Sequence, residues 1–451
     1  MENRTGREEK ITIYGALQRL VMFRSLREDP LLKSIAEALE GLLNGSSDRL
    51  DVLDGLNGEI NSLLQTATSL SFTENLWQAY LTMLLIRSEN PLSLTIEMRE
   101  AEQAAGGSAE AFARNDMKWI RALFLYDFAR EERCLEVPLF STLTHYHAVA
   151  KREQMYNRRA SGTIHMLQNE LLQAAELPED NAADAMWKVL SVFYRTRGVG
   201  QFSLNSAFRV ENATDGSIYF SPISNLQDIH LDDLVGYESQ KRQLRENTEA
   251  FVDGRRANNC LLFGDSGTGK STSIKALISE YQDRGLRMIE LYKHQCRSLS
   301  EVIGRVKNRN YKFIIYMDDL SFEEDETEYK YLKAVIEGGL ETRPQNVLIY
   351  ATSNRRHLIR ETWNDTHDLQ LDKHHSDTVQ EKLSLVQRFG ITIGYVRPNQ
   401  KDYYQIVKEL AARHPEISLS EEELLREAAA WEVSHGGMTG RTAQQLIDHL
   451  L

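Results

Sequence analysis

Residues 264–271 read GDSGTGKS, placing three glycines, a lysine and two serines within eight positions, directly behind the apolar run CLLF at 260–263. The stretch fits G-x-x-x-x-G-K-[ST] in full. In that pattern Gly264, Gly267 and Gly269 let the backbone curl. The N–H groups of a loop that also carries Asp265, Ser266 and Thr268 then point inward at phosphate oxygens. TSIKALISEYQDRG follows with helix-forming composition, and a helix starting there adds the positive end of its dipole. Lys270 supplies a positive charge to the β- and γ-phosphates, and Ser271 offers a hydroxyl to magnesium. The chemistry expected is capture of a nucleoside triphosphate.

Two further stretches carry matching chemistry. FIIYMDDL (313–320) is an apolar run ending in two acids, where Asp318 is placed to hold the magnesium ion and Asp319 to orient or polarise an attacking water. VLIYATSN (347–354) is a second buried run ending in Ser353 and Asn354. A polar side chain there can hydrogen-bond the water beside the γ-phosphate or simply close the strand in a turn, and the residues alone leave both open.

These groups need a scaffold that brings distant residues to one edge. NCLLFG (259–264), RMIELY (287–292), YKFIIYMD (311–318), NVLIYATS (346–353) and ITIGYVR (391–397) are short β-branched runs alternating with helical stretches, the pattern of a parallel sheet covered on both faces. Before them, residues 1–200 show apolar positions at three- and four-residue spacing, as in DPLLKSIAEALEGLLNG and AADAMWKVLSVFYRTRG, and predict an all-α region. The expected organisation is an all-α region over 1–200, a connecting segment rich in Gly, Ser, Asn and Asp over 201–235, an α/β core over 236–398 and a small helical subdomain over 399–451.

The order of LVGYESQKRQLRENTEAFVDGRRANNCLLFGDSGTGKS, YMDDL, ATSN, LVQRFG and GMTGRTAQQLIDHL resembles an AAA+ ATPase. More narrowly it resembles the bacterial domain-of-unknown-function 815 family of AAA+ ATP-binding proteins. The resemblance covers roughly 220–451. It implies an α/β P-loop NTPase core with a helical C-terminal lid, and ATP and Mg2+ as cofactors. It also implies Asn354 as the sensor-1 residue, Arg388 in QRFG as the arginine finger, and Arg441 in TGRT as sensor 2 on the lid. Val235 and Gly236 would lie against the adenine. The homo-oligomer such proteins form, at least with ATP bound, is expected too, with an unknown protein or nucleic-acid client. AAA+ hydrolases usually carry Asp-Glu at the metal motif, whereas this chain carries Asp318-Asp319. The reading is ATP hydrolysis coupled to remodelling, loading or holding a macromolecule. The alternatives are a nucleotide-gated binding module that hydrolyses little, or a small-molecule phosphotransferase.

Composition narrows the classes. The chain has 451 residues, 53 Lys and Arg against 66 Asp and Glu, and a net charge of −13, so it has no overall electrostatic footprint for nucleic acid. No run of about 18 apolar residues occurs, so no membrane span is expected. A charged amino terminus without an apolar core and three scattered cysteines point to the cytoplasm. DKHHSD (372–377) reads as a solvated loop rather than a metal site, because adjacent histidines point apart on any regular element. EEDETE (323–328) and KREQMYNRR (151–159) read as solvated faces. Tyr292-Lys293 follows the second of the strand runs but lacks the glycine pattern of a substrate-threading loop.

Overall fold

The computed structural model describes residues 11–98, 107–147, 158–322, 328–337, 344–354 and 386–451. The chain forms two compact units, Met1–Asn205 and Ser206–Leu451.

In the first unit every element among the described residues is helical. Its centre is the helix Leu76–Arg87, buried at Leu76, Trp77, Tyr80, Leu81, Met83, Leu85 and Ile86, since a helix that is apolar all round has no face to offer water. Trp77 Nε1 donates to Leu123 O at 2.7 Å, tying this helix to Ser108–Phe124. The fully buried Asp116 accepts from the N–H groups of Val21, Met22 and Phe23 at 2.7–3.1 Å. Three backbone dipoles thus answer one buried carboxylate.

The second unit is built on a seven-stranded sheet. Its strands are β1 (Ala207–Asn212), β2 (Ile218–Pro222), β3 (Cys260–Gly264), β4 (Leu286–Glu290), β5 (Lys312–Met317), β6 (Val347–Ser353) and β7 (Ile391–Tyr395), in the spatial order β2-β1-β4-β5-β6-β3-β7. All neighbouring pairs are parallel except β1 with β2. The helices Glu238–Val252 and Lys270–Tyr281 pack on one face through Leu244, Phe251, Ile274, Leu277 and Tyr281. Three helices follow the sheet, Gln400–Ala411, Glu421–Ser434 and Gly440–Leu450. They enclose a small core of their own around Tyr403, Val407, Leu424, Ala428, Leu446 and Ile447.

The stretch 201–235 is not merely a connector. Its residues 207–222 form the β1–β2 hairpin on the sheet edge, turned at Gly216 (φ +83°) and closed by Ala213 N donating to Ser217 O at 2.7 Å. Polar turn residues flank strands only five or six residues long, so composition hides them. Of the stretches read as solvated, 372–377, 323–327 and 151–157 lie outside the described residues.

Gly264, the last residue of β3, is fixed by its neighbour. It pairs with Tyr395 at φ +135°, where an added Cβ would lie 2.0 Å from Tyr395 O. A backbone oxygen held in a ladder cannot swing aside. Gly264→Ala is therefore expected to lose stability on the order of 1–3 kcal/mol, read as a lower urea midpoint at constant slope. A wild-type midpoint would show that β3 and β7 part more easily than their register implies.

Candidate functional site

The strand order sets the site. β6 lies between β3, which feeds the glycine-rich loop, and β5, which ends at the acids. The carboxyl ends of the three strands open together on a crevice, where ligands gather in open parallel sheets. The crevice is a cleft of about 870 Å³. It is lined by Ser266, Gly267, Thr268, Gly269, Lys270 and Ser271 from the loop, and by Asp318, Asp319, Thr352 and Asn354 from the neighbouring strand ends. Leu234, Val235, Tyr237, Ile406, Leu410 and Arg413 line it too, as do Arg441, Gln444, Gln445 and Asp448.

Lys270 begins its helix and is only 6% exposed. Its Nζ donates to Gly264 O at 2.8 Å, Asp265 O at 2.6 Å and Asn354 Oδ1 at 3.0 Å. Burial, partly offset by the nearby Asp265, Asp319 and Asp318, pulls its pKa below the ordinary lysine value. Asn354 turns its other end the opposite way, with Nδ2 donating to Asp319 Oδ1 at 2.8 Å. An ammonium has only protons to give and a carboxylate only lone pairs, so this one amide orientation serves both. Lysine, asparagine and second acid form a single hydrogen-bonded line.

Asp318 is held separately. Its Oδ1 accepts from Ser271 Oγ and Thr352 Oγ1, each at 2.6 Å. Partial burial works to raise its pKa, but these hydrogen bonds outweigh it and leave the carboxyl below its ordinary value. An ionised carboxylate and a hydroxyl in contact make an oxygen donor set suited to magnesium. The loop glycines suit phosphate in the same sense. An added Cβ on Gly267 would lie 3.0 Å from Thr439 Oγ1, and one on Gly269 would lie 3.0 Å from Leu234 Cδ2. Both sit at positive φ, +78° and +87°, so the backbone approaches its surroundings where a side chain would block it.

The lid reaches the loop directly. Thr439 caps the helix Gly440–Leu450, and Arg441 N donates to Gly267 O at 3.2 Å, which brings the exposed Arg441 side chain to the rim of the cleft. Val235 packs against the lid core. Gly236 (φ +81°) follows it without lining the cleft. Gly264 and Asp265 stand behind the loop, where Asp265 Oδ2 accepts from Arg397 N at 3.1 Å. Arg388 is apart from the rest. It precedes β7, whose first residue Ile391 pairs with Cys260 and whose last, Tyr395, pairs with Gly264. About 13 Å of strand therefore separates the level of the loop from the end of the sheet at which Arg388 stands.

Sequence reasoning passed over Thr352, Arg413, Gln444, Gln445 and Asp448. Only Thr352 left a trace, since strand alternation puts it on the face of Asn354 two residues on. Lid helices declare the face they bury, not the face they turn to a ligand. Among the described residues no group of three or more His, Cys, Asp or Glu side chains is placed to hold a metal, and no helix is long and apolar enough to cross a membrane.

A mostly parallel sheet with the phosphate loop after β3, the acids one strand removed, and a three-helix lid touching the loop is the α/β P-loop core of the AAA+ class. Residues 203–451 match the family described as "Protein of unknown function (DUF815)". The chain belongs to that family. Solved structures with some likeness include an alanine-to-serine variant of RuvB from Thermotoga maritima, 16% identical over 49% of this chain and 64% of its own, with a TM-score of 0.35. Another is the Thermotoga maritima protein described as a RuvB Holliday junction branch migration motor, 13% identical over 50% of this chain and 72% of its own, with a TM-score of 0.31. The chain thus spans less than two thirds of the first of these. No curated protein matches it.

Proposed function

We propose that the Ser206–Leu451 unit binds Mg2+-ATP in this cleft and hydrolyses it to ADP and phosphate, and that the chain couples this cycle to remodelling, loading or holding a macromolecule in the cytoplasm. The observation that supports it is the convergence of Lys270, Ser271, Asp318, Asp319, Asn354 and Arg441 on one cleft. In this reading the loop N–H groups and Lys270 hold the phosphates, while Val235 flanks the adenine. Ser271 and Asp318 hold magnesium, which when bound neutralises charge on the phosphate oxygens. Asp319, steadied by Asn354, accepts a hydrogen bond from the attacking water and aims it. Arg441 meets the γ-phosphate from the lid 399–451, and Arg388 completes the cleft of a neighbouring copy in a homo-oligomer. The helical Met1–Asn205 unit is the region we assign to the client, a protein or nucleic acid.

A slower variant of the same reading has its own observation. Asp319 is one methylene shorter than the usual glutamate and is already bonded to Asn354, which favours a nucleotide-gated binder with low turnover.

The test is release of inorganic phosphate from Mg2+-ATP by the purified chain. Phosphate in water supports the hydrolase, γ-phosphate appearing on a metabolite replaces it with a phosphotransferase, and tight ATP binding without release supports the gated module. Asp318→Ala is expected to weaken Mg2+-ATP about tenfold, roughly 1.4 kcal/mol, and ATP in chelator hardly at all. Equal losses in both conditions would count against the metal role.

A further inference from the structure

Thr352 is buried at 1% exposure in β6, and its hydroxyl touches both acids at once. Its Oγ1 donates to Asp318 Oδ1 at 2.6 Å and accepts from Asp319 N at 2.9 Å. The next residue closes the grip, with Leu320 N donating to Thr352 O at 2.7 Å. Between these bonds Asp319 stands at φ +49°, a left-handed conformation that residues with a side chain seldom adopt without local support. In that conformation its carboxylate meets Asn354 Nδ2.

We infer that Thr352 is a positioning residue for the nucleotide reaction, setting the metal-side acid and the water-side acid in register through one hydroxyl. The inference rests on the ATPase reading above. Both hydroxyls on Asp318, from Ser271 and Thr352, go to Oδ1. Ser271 is the one assigned to magnesium, so Thr352 keeps the carboxylate's rotation fixed when the serine turns to the ion. On the other side, a strained Asp319 released from Thr352 relaxes towards ordinary backbone angles and carries its carboxylate away from Asn354. A threonine that merely filled the core would need its methyl, not its hydroxyl. A positioning threonine needs the hydroxyl.

The test compares wild type, Thr352→Ser and Thr352→Val by fluorescent ATP-analogue binding across a Mg2+ titration, by steady-state phosphate release, and by thermal melting. Thr352→Val is expected to raise the Mg2+ needed for half-saturation about tenfold and lower kcat more than tenfold, with metal-free nucleotide affinity unchanged. Thr352→Ser restores both despite its missing methyl. A folded Thr352→Val chain with wild-type Mg2+ dependence and kcat overturns the inference alone. So does Thr352→Ser shifted tenfold, an outcome that decides the matter even where the valine chain does not fold. A wild-type chain whose nucleotide binding ignores Mg2+ overturns the ATPase reading, and the inference falls with it.

Discussion

Lys270→Ala is expected to abolish ATP binding. Lys270 is the cation built into the loop, and its Nζ already sits among Gly264 O, Asp265 O and Asn354 Oδ1. Without it, several phosphate charges face backbone N–H groups alone. ATP at 100 times its dissociation constant should stabilise the wild-type chain by about 2.7 kcal/mol through linkage, and the variant not at all. Because the alanine also strips three acceptors of their donor, Lys270→Met, which keeps the aliphatic stem, belongs beside it. A folded variant that melts higher with ATP, as wild type does, would remove the phosphate role from this loop.

Arg388→Ala is expected to keep ATP affinity and lose turnover by about 10³ to 10⁵, the worth of an arginine finger. The expectation follows from place. Arg388 lies before Ile391 at the end of the sheet remote from its own phosphate loop, so a catalytic role requires a second copy. Specific activity should then rise with protein concentration, and mixing Arg388→Ala with Lys270→Ala should restore part of it. In such a mixed pair one chain brings an intact loop and the other an intact arginine. Activity that is independent of concentration and indifferent to Arg388→Ala would leave the arginine a surface residue.

Much of the site was legible because its chemistry is local. Eight consecutive residues carry the whole glycine-rich motif, and two acids behind an apolar run mark the strand end proposed for the metal, so neither needs a tertiary contact to be recognised. Thr352 left only its alternation with Asn354 as a trace, since a β-branched residue inside VLIYATSN is what any buried strand contains, and its meaning comes from β5 lying alongside. The hairpin β1–β2 had a usable signal, an Asp-Gly pair between alternating apolar residues. In AFRVENATDGSIYF the alternation spans so few residues that the polar composition of the neighbourhood outweighed it. Arg413, Gln444 and Asp448 reach the cleft only through the packing of three lid helices, and no periodicity reports that.

The 3.2 Å bond from Arg441 N to Gly267 O joins the lid to the loop at the backbone of both. A contact of this kind is worth about 1 kcal/mol, roughly fivefold in an equilibrium. Whatever that bond contributes is shared in both directions, because coupling between two equilibria is reciprocal. In the proposed nucleotide cycle, phosphates that moved the loop would shift the lid, and a load on the lid would change how firmly the loop grips its nucleotide. On the proposed ATPase reading the lid would then be a force gauge as much as a cover, since a load on it would alter the lifetime of bound nucleotide without touching the nucleotide itself.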